Sequence, residues 1–396
     1  MKVCFLNFVG IPTRTEAAKS NLIGGLNTIL SNLCESLVKL EGVSVDCIFR
    51  QEDIHLKSEQ TNYNLIGIKT GLEKSVLREE IIKSLELSSD KVSEILYRNK
   101  SDIIHTAGLE AGLVMLKLKQ SGLDIPWVHT NFATLSVRKV ILDGANQSVA
   151  EYDHISKQEK ACLQECDHII ALSNDDKSEI KLVFKVKEEK ISVVYPGINK
   201  NIFFSINENE KRLNIISAGR MSQIKDFPFL LRSFKIFRDI YRGTEQLNII
   251  GGNYLERKSL GLNELIKKLD LKGFVNLYDG LSQEKLANFF RVSKVFVGCS
   301  KHETFGLLPV EAMACGLPAI VRNISGYKET AISKSFIVKD ELEMANKIYE
   351  ILNLSDENYK KLCIKSMNSS FKYSCEKSAE QHVDIYRKII LSKRAG

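Results

Sequence analysis

The sequence predicts an α/β protein built as two doubly wound domains, each a parallel sheet with helices on both faces. Three observations carry this. Short Val- and Ile-rich runs alternate with longer amphipathic segments along most of the chain, as strand-helix repeats do. The alternation occurs on either side of a Pro-Gly break at Tyr195-Pro196-Gly197-Ile198-Asn199. The chain also has 396 residues, more than one hydrophobic core usually supports.

In the first half, strand-like runs are Val3–Val9, Val43–Phe49, Ile103–His105, Trp127–His129, His168–Leu172 and Ile191–Tyr195. Helical spacing of apolar residues covers Thr28–Leu40 and Glu110–Gln120. In the second half the strands are Leu213–Ala218, Leu247–Ile250, Val275–Tyr278, Val295–Gly298 and Ala319–Val321. The helices there are Phe227–Tyr241, Leu262–Leu269, Gln283–Phe290 and Met344–Leu352. A polar stretch follows the Pro-Gly break, so the expected domains are residues 1–198 and 199–375. The last segment, 376–396, has apolar helical spacing over Ser378–Leu391 and is expected to pack back on the first domain.

Composition excludes several classes. No stretch approaches the roughly 20 apolar residues of a membrane span. The apolar N-terminus is short and reads as a buried strand rather than a signal peptide, so the expected location is cytoplasmic. Nine cysteines are scattered without a repeated framework, as expected of reduced, packed thiols. Cys162 and Cys166 lack a second pair at zinc spacing, so no metal site is expected. The net charge of +7 is mild. It suits an anionic ligand or peripheral contact with an anionic membrane surface. No basic stripe with interleaved aromatics points to nucleic acid.

The densest chemical signal is Cys299–Pro318, which follows the strand Val295–Gly298. Ligands of open α/β sheets bind beyond the carboxyl ends of strands. Gly306 lets backbone approach a ligand, and a helix opening near Pro309 offers free amides to a diphosphate. Glu311, one turn in, suits ribose hydroxyls, and Glu303, in the loop, suits hydroxyls of a sugar. A solvated loop followed by a core helix is the competing interpretation. A second signal is Gly219-Arg220-Met221-Ser222-Gln223-Ile224-Lys225 at the end of another strand. Arg220 and Lys225 would neutralise a departing diphosphate. In the first half, Gly24-Gly25 forms a paired-glycine loop between the first strand and first helix.

The string Glu303, Phe305, Gly306, Glu311, Ala312, Ala314, Gly316 and Pro318 resembles the E-x7-E signature of retaining glycosyltransferase family 4, the group 1 glycosyltransferases. The resemblance implies the glycosyltransferase-B fold, two Rossmann-like domains facing across a cleft, with the acceptor side on the first and the nucleotide sugar on the second. It implies sugar contact by Glu303, ribose contact by Glu311, and diphosphate contact by Arg220, Lys225 and the backbone of Gly306, Leu307 and Leu308. Gly24, Gly25, Gly219, Gly251 and Phe305 match further donor-binding positions. Many members place an active-site His where this chain has Phe132. His129 is therefore carried as the catalytic candidate, with His105, Asn131, Arg138 and Lys139 on the acceptor side.

The function so implied is metal-independent, retaining transfer of a hexose or N-acetylhexosamine from a nucleotide diphosphate sugar to an acceptor hydroxyl. UDP-glucose and UDP-N-acetylglucosamine are the expected donors, with no cofactor. The alternative is a non-catalytic partner or sensor of the same fold that binds a nucleotide sugar. The acceptor is open, as is assembly into a homo-oligomer.

Overall fold

The structure, a computed structural model, describes residues 1–8, 25–50, 62–69, 88–132, 149–206, 212–252, 257–258 and 260–395. The chain divides into two compact units, Met1–Gly197 with Cys375–Gly396, and Ile198–Ser374.

The first unit holds a seven-stranded parallel sheet of β1 (Lys2–Asn7), β2 (Ser44–Arg50), β3 (Asn64–Ile68), β4 (Ile103–Ala107), β5 (Trp127–Thr130), β6 (His168–Ala171) and β7 (Ile191–Val193). Their order across the sheet is β3-β2-β1-β4-β5-β6-β7. Helices α1 (Gly25–Leu37), α2 (Ser89–Asn99), α3 (Leu109–Gln120), α4 (Val149–Glu165) and α5 (Asn174–Phe184) belong to this unit, as does the C-terminal helix Cys375–Ala395. Successive strand side chains leave opposite faces, so each strand feeds two cores. Ile103 and Val128 join Leu30, Leu33 and Leu37 of α1 and Ala379, Val383 and Tyr386 of the C-terminal helix. Ile104 and Trp127 join Leu113 and Val114 of α3 and Cys162 and Leu163 of α4. Both faces are thus covered, which is why these strands read as continuous apolar runs.

The second unit holds β8 (Leu213–Ala218), β9 (Leu247–Ile250), β10 (Val275–Tyr278), β11 (Ser293–Gly298), β12 (Ala319–Arg322) and β13 (Ile337–Val338) in the parallel order β10-β9-β8-β11-β12-β13. Its helices are α6 (Phe227–Tyr241), α7 (Leu262–Lys268), α8 (Gln283–Val292), α9 (Leu307–Ala314), α10 (Tyr327–Thr330), α11 (Glu341–Leu352) and α12 (Asp356–Ser370). Strand order reverses between β8 and β11, and in the first unit between β1 and β4. Doubly wound sheets form a ligand crevice at such a switch point.

Strands β3 and β13 are edge strands that the apolar runs do not reveal, since β3 buries only Ile68 and β13 has two residues. Helices α2, α4 and α12 also escape the apolar pattern because few of their side chains are apolar. Asn174–Asp176 opens α5 and is capped by Ser173, whose side chain accepts from Asp176 N at 3.0 Å. Among the described residues, no helix is long and apolar enough to cross a membrane.

Candidate active site

In the second unit the switch point brings two loops together. β8 and β11 pair in parallel, with Ile215 opposite Val295 and Ile216 opposite Phe296. The chain after β8 turns through Gly219 and Arg220 into a 3-10 turn at Gln223–Lys225. Asp226 then adopts φ 46° and caps α6, accepting from Phe229 N, while Arg322 of β12 pairs with its carboxylate at 2.7 Å. The loop after β11 runs alongside. Lys301 N donates to Ile224 O at 2.7 Å and Cys299 Sγ to Lys225 O at 3.0 Å.

These backbone stitches place Lys225 Nζ on Glu303 Oε1, an ion pair whose side chains are each 17% exposed. Ser300 Oγ donates to the same carboxylate oxygen at 2.7 Å. Burial by itself would raise the Glu303 carboxyl, but the Lys225 charge and the hydrogen bonds from Lys225 and Ser300 outweigh it and hold the group below its ordinary value. Glu303 is therefore ionised at neutral pH. Arg220 is exposed on the β8 loop and makes no ion pair among the described residues.

Helix α9 begins at Gly306, whose φ of 94° and ψ of 64° suit glycine, and no side chain caps its first turn. The N-cap glycine thus supplies no side-chain acceptor to the amides that open the helix. Glu311 follows one turn later and is buried. Burial pushes its carboxyl up to about 8, so no neighbouring cation offsets the loss of water as Lys225 does for Glu303. Gly251, after β9, lies so close to Gly219 that a Cβ there would meet the Gly219 carbonyl oxygen at 1.9 Å. Phe305 faces the interior, 3% exposed and packed edge-on against Tyr373 with centroids 5.1 Å apart. Its ring is a packing element of the loop rather than a surface for a ligand.

In the first unit, His105 and His129 leave opposite faces of the sheet. His129 is 1% exposed, with Nδ1 2.6 Å from Thr106 Oγ1 and its ring edge-on to Trp127. Its Cε1 would meet a Cβ on Gly112 of α3 at 2.9 Å. The structure therefore places the catalytic candidate His129 in the packed layer under α3, where burial drops its pKa to about 3. His105 lines a cavity with Thr130, Phe132 and His382. Both its nitrogens are engaged, Nδ1 with Tyr386 Oη at 2.6 Å and Nε2 with Thr130 Oγ1 at 2.8 Å. Asn131, at the end of β5, is 3% exposed, and its Nδ2 has no hydrogen-bond partner among the described residues. Gly25 opens α1 and is exposed. Gly24, Arg138 and Lys139 lie outside the described residues.

Sequence reasoning missed four participants of the second unit's site: Ser300, Asp226, Arg322 and Tyr327. The Tyr327 hydroxyl lies 3.2 Å from Ser300 Oγ and 3.5 Å from Glu303 Oε1. Ser300 and Asp226 stand inside the two motifs and could have been flagged there. Tyr327 carries no local signal, because its partners come from another loop. Among the described residues, no three His, Cys, Asp or Glu side chains gather to hold a metal ion.

Comparison with known proteins bears on both units. Residues 198–366 match the family model "Glycosyl transferases group 1", and residues 23–201 match "Glycosyltransferase Family 4". The chain is 25% identical over 400 residues to a D-inositol 3-phosphate glycosyltransferase of Corynebacterium urealyticum, covering 94% of this chain and 93% of that protein. It is 28% identical over 199 residues to the O-antigen chain mannosyltransferase RfbU of Salmonella typhimurium, covering 50% of this chain and 54% of that one. Among solved structures, sucrose-phosphate synthase from Thermosynechococcus elongatus superposes with a TM-score of 0.83 at 21% identity, over 99% of this chain and 100% of that one. HepE of Anabaena, solved in complex with UDP and glucose, superposes with a TM-score of 0.74 at 15% identity, over 98% and 100%. The chain belongs to the group 1 glycosyltransferases and has the glycosyltransferase-B fold.

Proposed function

We propose that this glycosyltransferase moves a hexosyl or N-acetylhexosaminyl group from a uridine diphosphate sugar to an acceptor hydroxyl, with retention and without a metal ion. The observation that carries the proposal is the meeting of Lys225 and Glu303 at the switch point, beside the uncapped start of α9. A cation and a carboxylate in one crevice match the two ends of the donor, its diphosphate and its sugar. The solved complex of HepE with UDP and glucose supports uridine as the base and glucose as the sugar.

In the proposed reaction the bond from the anomeric carbon to the phosphate oxygen breaks, and the electron pair leaves with the diphosphate. Lys225, Arg220 and the α9 amides stabilise that developing charge, so their effect falls on the chemical step. The acceptor oxygen bonds to the anomeric carbon from the face the phosphate is leaving, and its proton passes to the departing phosphate oxygen. Glu303 accepts from sugar hydroxyls and forms no covalent intermediate, unlike the nucleophile of a retaining hydrolase. Positive charge from the chain's own side chains serves the diphosphate, which is the basis for proposing metal independence. Glu311 accepts from the ribose. The first unit carries the acceptor side, with Asn131 Nδ2 a buried donor there.

The test is to incubate the protein with UDP-glucose or UDP-N-acetylglucosamine, with and without EDTA, and to follow UDP release. NMR of the product then reads its anomeric configuration. Retained configuration and EDTA-resistant turnover are expected. Inverted product would overturn the mechanism. Binding without any turnover would assign the chain to the non-catalytic alternative.

A further inference from the structure

The hydrogen bonds on Glu303 are one-sided. Lys225 Nζ, Ser300 Oγ and the Tyr327 hydroxyl all address Oε1, and no hydrogen bond reaches Oε2 among the described residues. The Tyr327 hydroxyl has one proton to donate, and Ser300 Oγ is nearer, 3.2 Å against 3.5 Å. A relay therefore runs from Tyr327 through Ser300 to the carboxylate.

The ring that delivers this hydroxyl sits in a slot cut by glycines. A Cβ on Gly298, at the end of β11, would lie 3.0 Å from the Tyr327 hydroxyl, and one on Gly306 would lie 2.6 Å from the ring. Tyr327 follows Gly326, where a Cβ would meet the Glu303 carbonyl oxygen at 2.4 Å. Side chains at these positions would force the ring or the loop out of place. Tyr327 and Ser300 are 3% and 2% exposed, so the relay is dry and its geometry is held by packing. Burial, and then the Glu303 charge, push the Tyr327 hydroxyl well above its ordinary range. It stays protonated and remains a donor.

We propose that Tyr327 and Ser300 are positioning residues that pin Glu303 by Oε1, so that Oε2 alone is offered to the donor sugar, and that this pinning sets which hydroxyl stereochemistry the site accepts. A carboxylate free to rotate can follow a hydroxyl that moves between axial and equatorial positions. A pinned one cannot, and it discriminates against the epimer. The proposal rests on the assignment of Glu303 to the sugar made above.

The experiment is calorimetric titration of wild type, Glu303→Gln, Tyr327→Phe and Ser300→Ala with UDP, UDP-glucose and its 4-epimer UDP-galactose. Tyr327→Phe keeps the ring in its slot, and a melting curve confirms folding of each variant. Wild type is expected to bind one UDP-sugar more tightly than the other. Tyr327→Phe and Ser300→Ala are expected to shrink that ratio by about tenfold, the worth of one hydrogen bond, with UDP affinity unchanged. If Glu303→Gln removes the sugar-dependent affinity while both other variants keep the wild-type ratio, the pinning proposal alone is overturned. If Glu303→Gln leaves every affinity unchanged, the sugar assignment fails and takes the proposal with it.

Discussion

Lys225 and Glu303 stand 78 positions apart in sequence and form an ion pair where the strand order of the second sheet reverses. The pair is largely dry, with 17% of each side chain exposed. Removing one partner leaves the other as an uncompensated, mostly buried charge, so the two residues are coupled in stability.

Lys225→Ala is expected to lower kcat for donor cleavage by about 100-fold or more, the usual cost of losing one donor at developing charge. It also weakens a pH dependence. In wild type Glu303 is held below its ordinary value, so its contribution to stability is present above the unfolded value and is lost as pH falls. Without Lys225, only the Ser300 hydrogen bond and the His302 charge oppose burial, so the carboxyl rises and that loss at low pH shrinks. Melting curves of wild type and variant, followed from neutral pH to below 4.5, the ordinary value of the group, check this. Parallel curves would contradict the pairing.

Glu311 makes the opposite contribution in the unliganded protein. Its carboxyl is raised from 4.5 to about 8, so the folded state holds a proton that the unfolded state releases. Stability from this group is full below pH 4.5 and falls as pH rises toward 8. Glu311→Gln is expected to flatten that part of the melting-temperature profile. An unchanged slope in the variant would refute the assignment.

On the proposed ribose assignment, nucleotide binding is expected to be linked to the same proton. Ribose hydroxyls donate to an ionised carboxylate, so UDP should bind more tightly as pH rises from 6 toward 8, by up to roughly tenfold per unit. Titration calorimetry in buffers of different ionisation enthalpy should show proton release for wild type and none for Glu311→Gln. Equal release from both would place the ribose elsewhere.

Asp226 holds two structures together, the start of α6 and Arg322 on β12. Asp226→Ala should cost about 1–2 kcal/mol through the lost cap, and Asp226→Asn, which can still cap, should cost less. Because Lys225 precedes this cap directly, kcat should fall further than stability alone explains. Urea denaturation together with turnover measured on the folded fraction separates the two effects.

His129→Ala should act on the core and leave the reaction alone. It removes a buried ring hydrogen-bonded to Thr106 and packed on Trp127, which costs about 2 kcal/mol or more. Turnover of the folded protein should stay within about twofold of wild type, the reverse of what loss of an active-site histidine does. A large loss of kcat at unchanged melting temperature would restore His129 to the reaction.

Much of this protein can be read from contiguous residues. Eleven strand-like runs and the main amphipathic helices follow from residue periodicity, and the Pro-Gly break at Pro196-Gly197 sits where the first unit ends. Gly306 and the helix it opens are likewise local, because a positive φ and an uncapped turn depend only on the neighbouring backbone. Glu303 and Lys225 stand out for the same reason, as charged groups in turns that follow buried strands, and Glu311 stands one turn into that helix.

Other features depended on which segments the sheet order placed side by side. Strand periodicity puts Trp127 and His129 on one face of β5. Both faces are covered by helices, so only the tertiary structure shows that His129 lies among core side chains while His105 borders a cavity. Phe305 reads as part of a binding motif, yet its ring packs on Tyr373, 68 positions later, which no local rule anticipates. The ionisation of the two glutamates was decided in the same way. Both are wholly or largely buried in the second unit, but only Glu303 meets a lysine, carried there by the pairing of β8 with β11. Burial and charge pairing are sums over neighbours in space, so they divide two carboxylates that the sequence presents as equals.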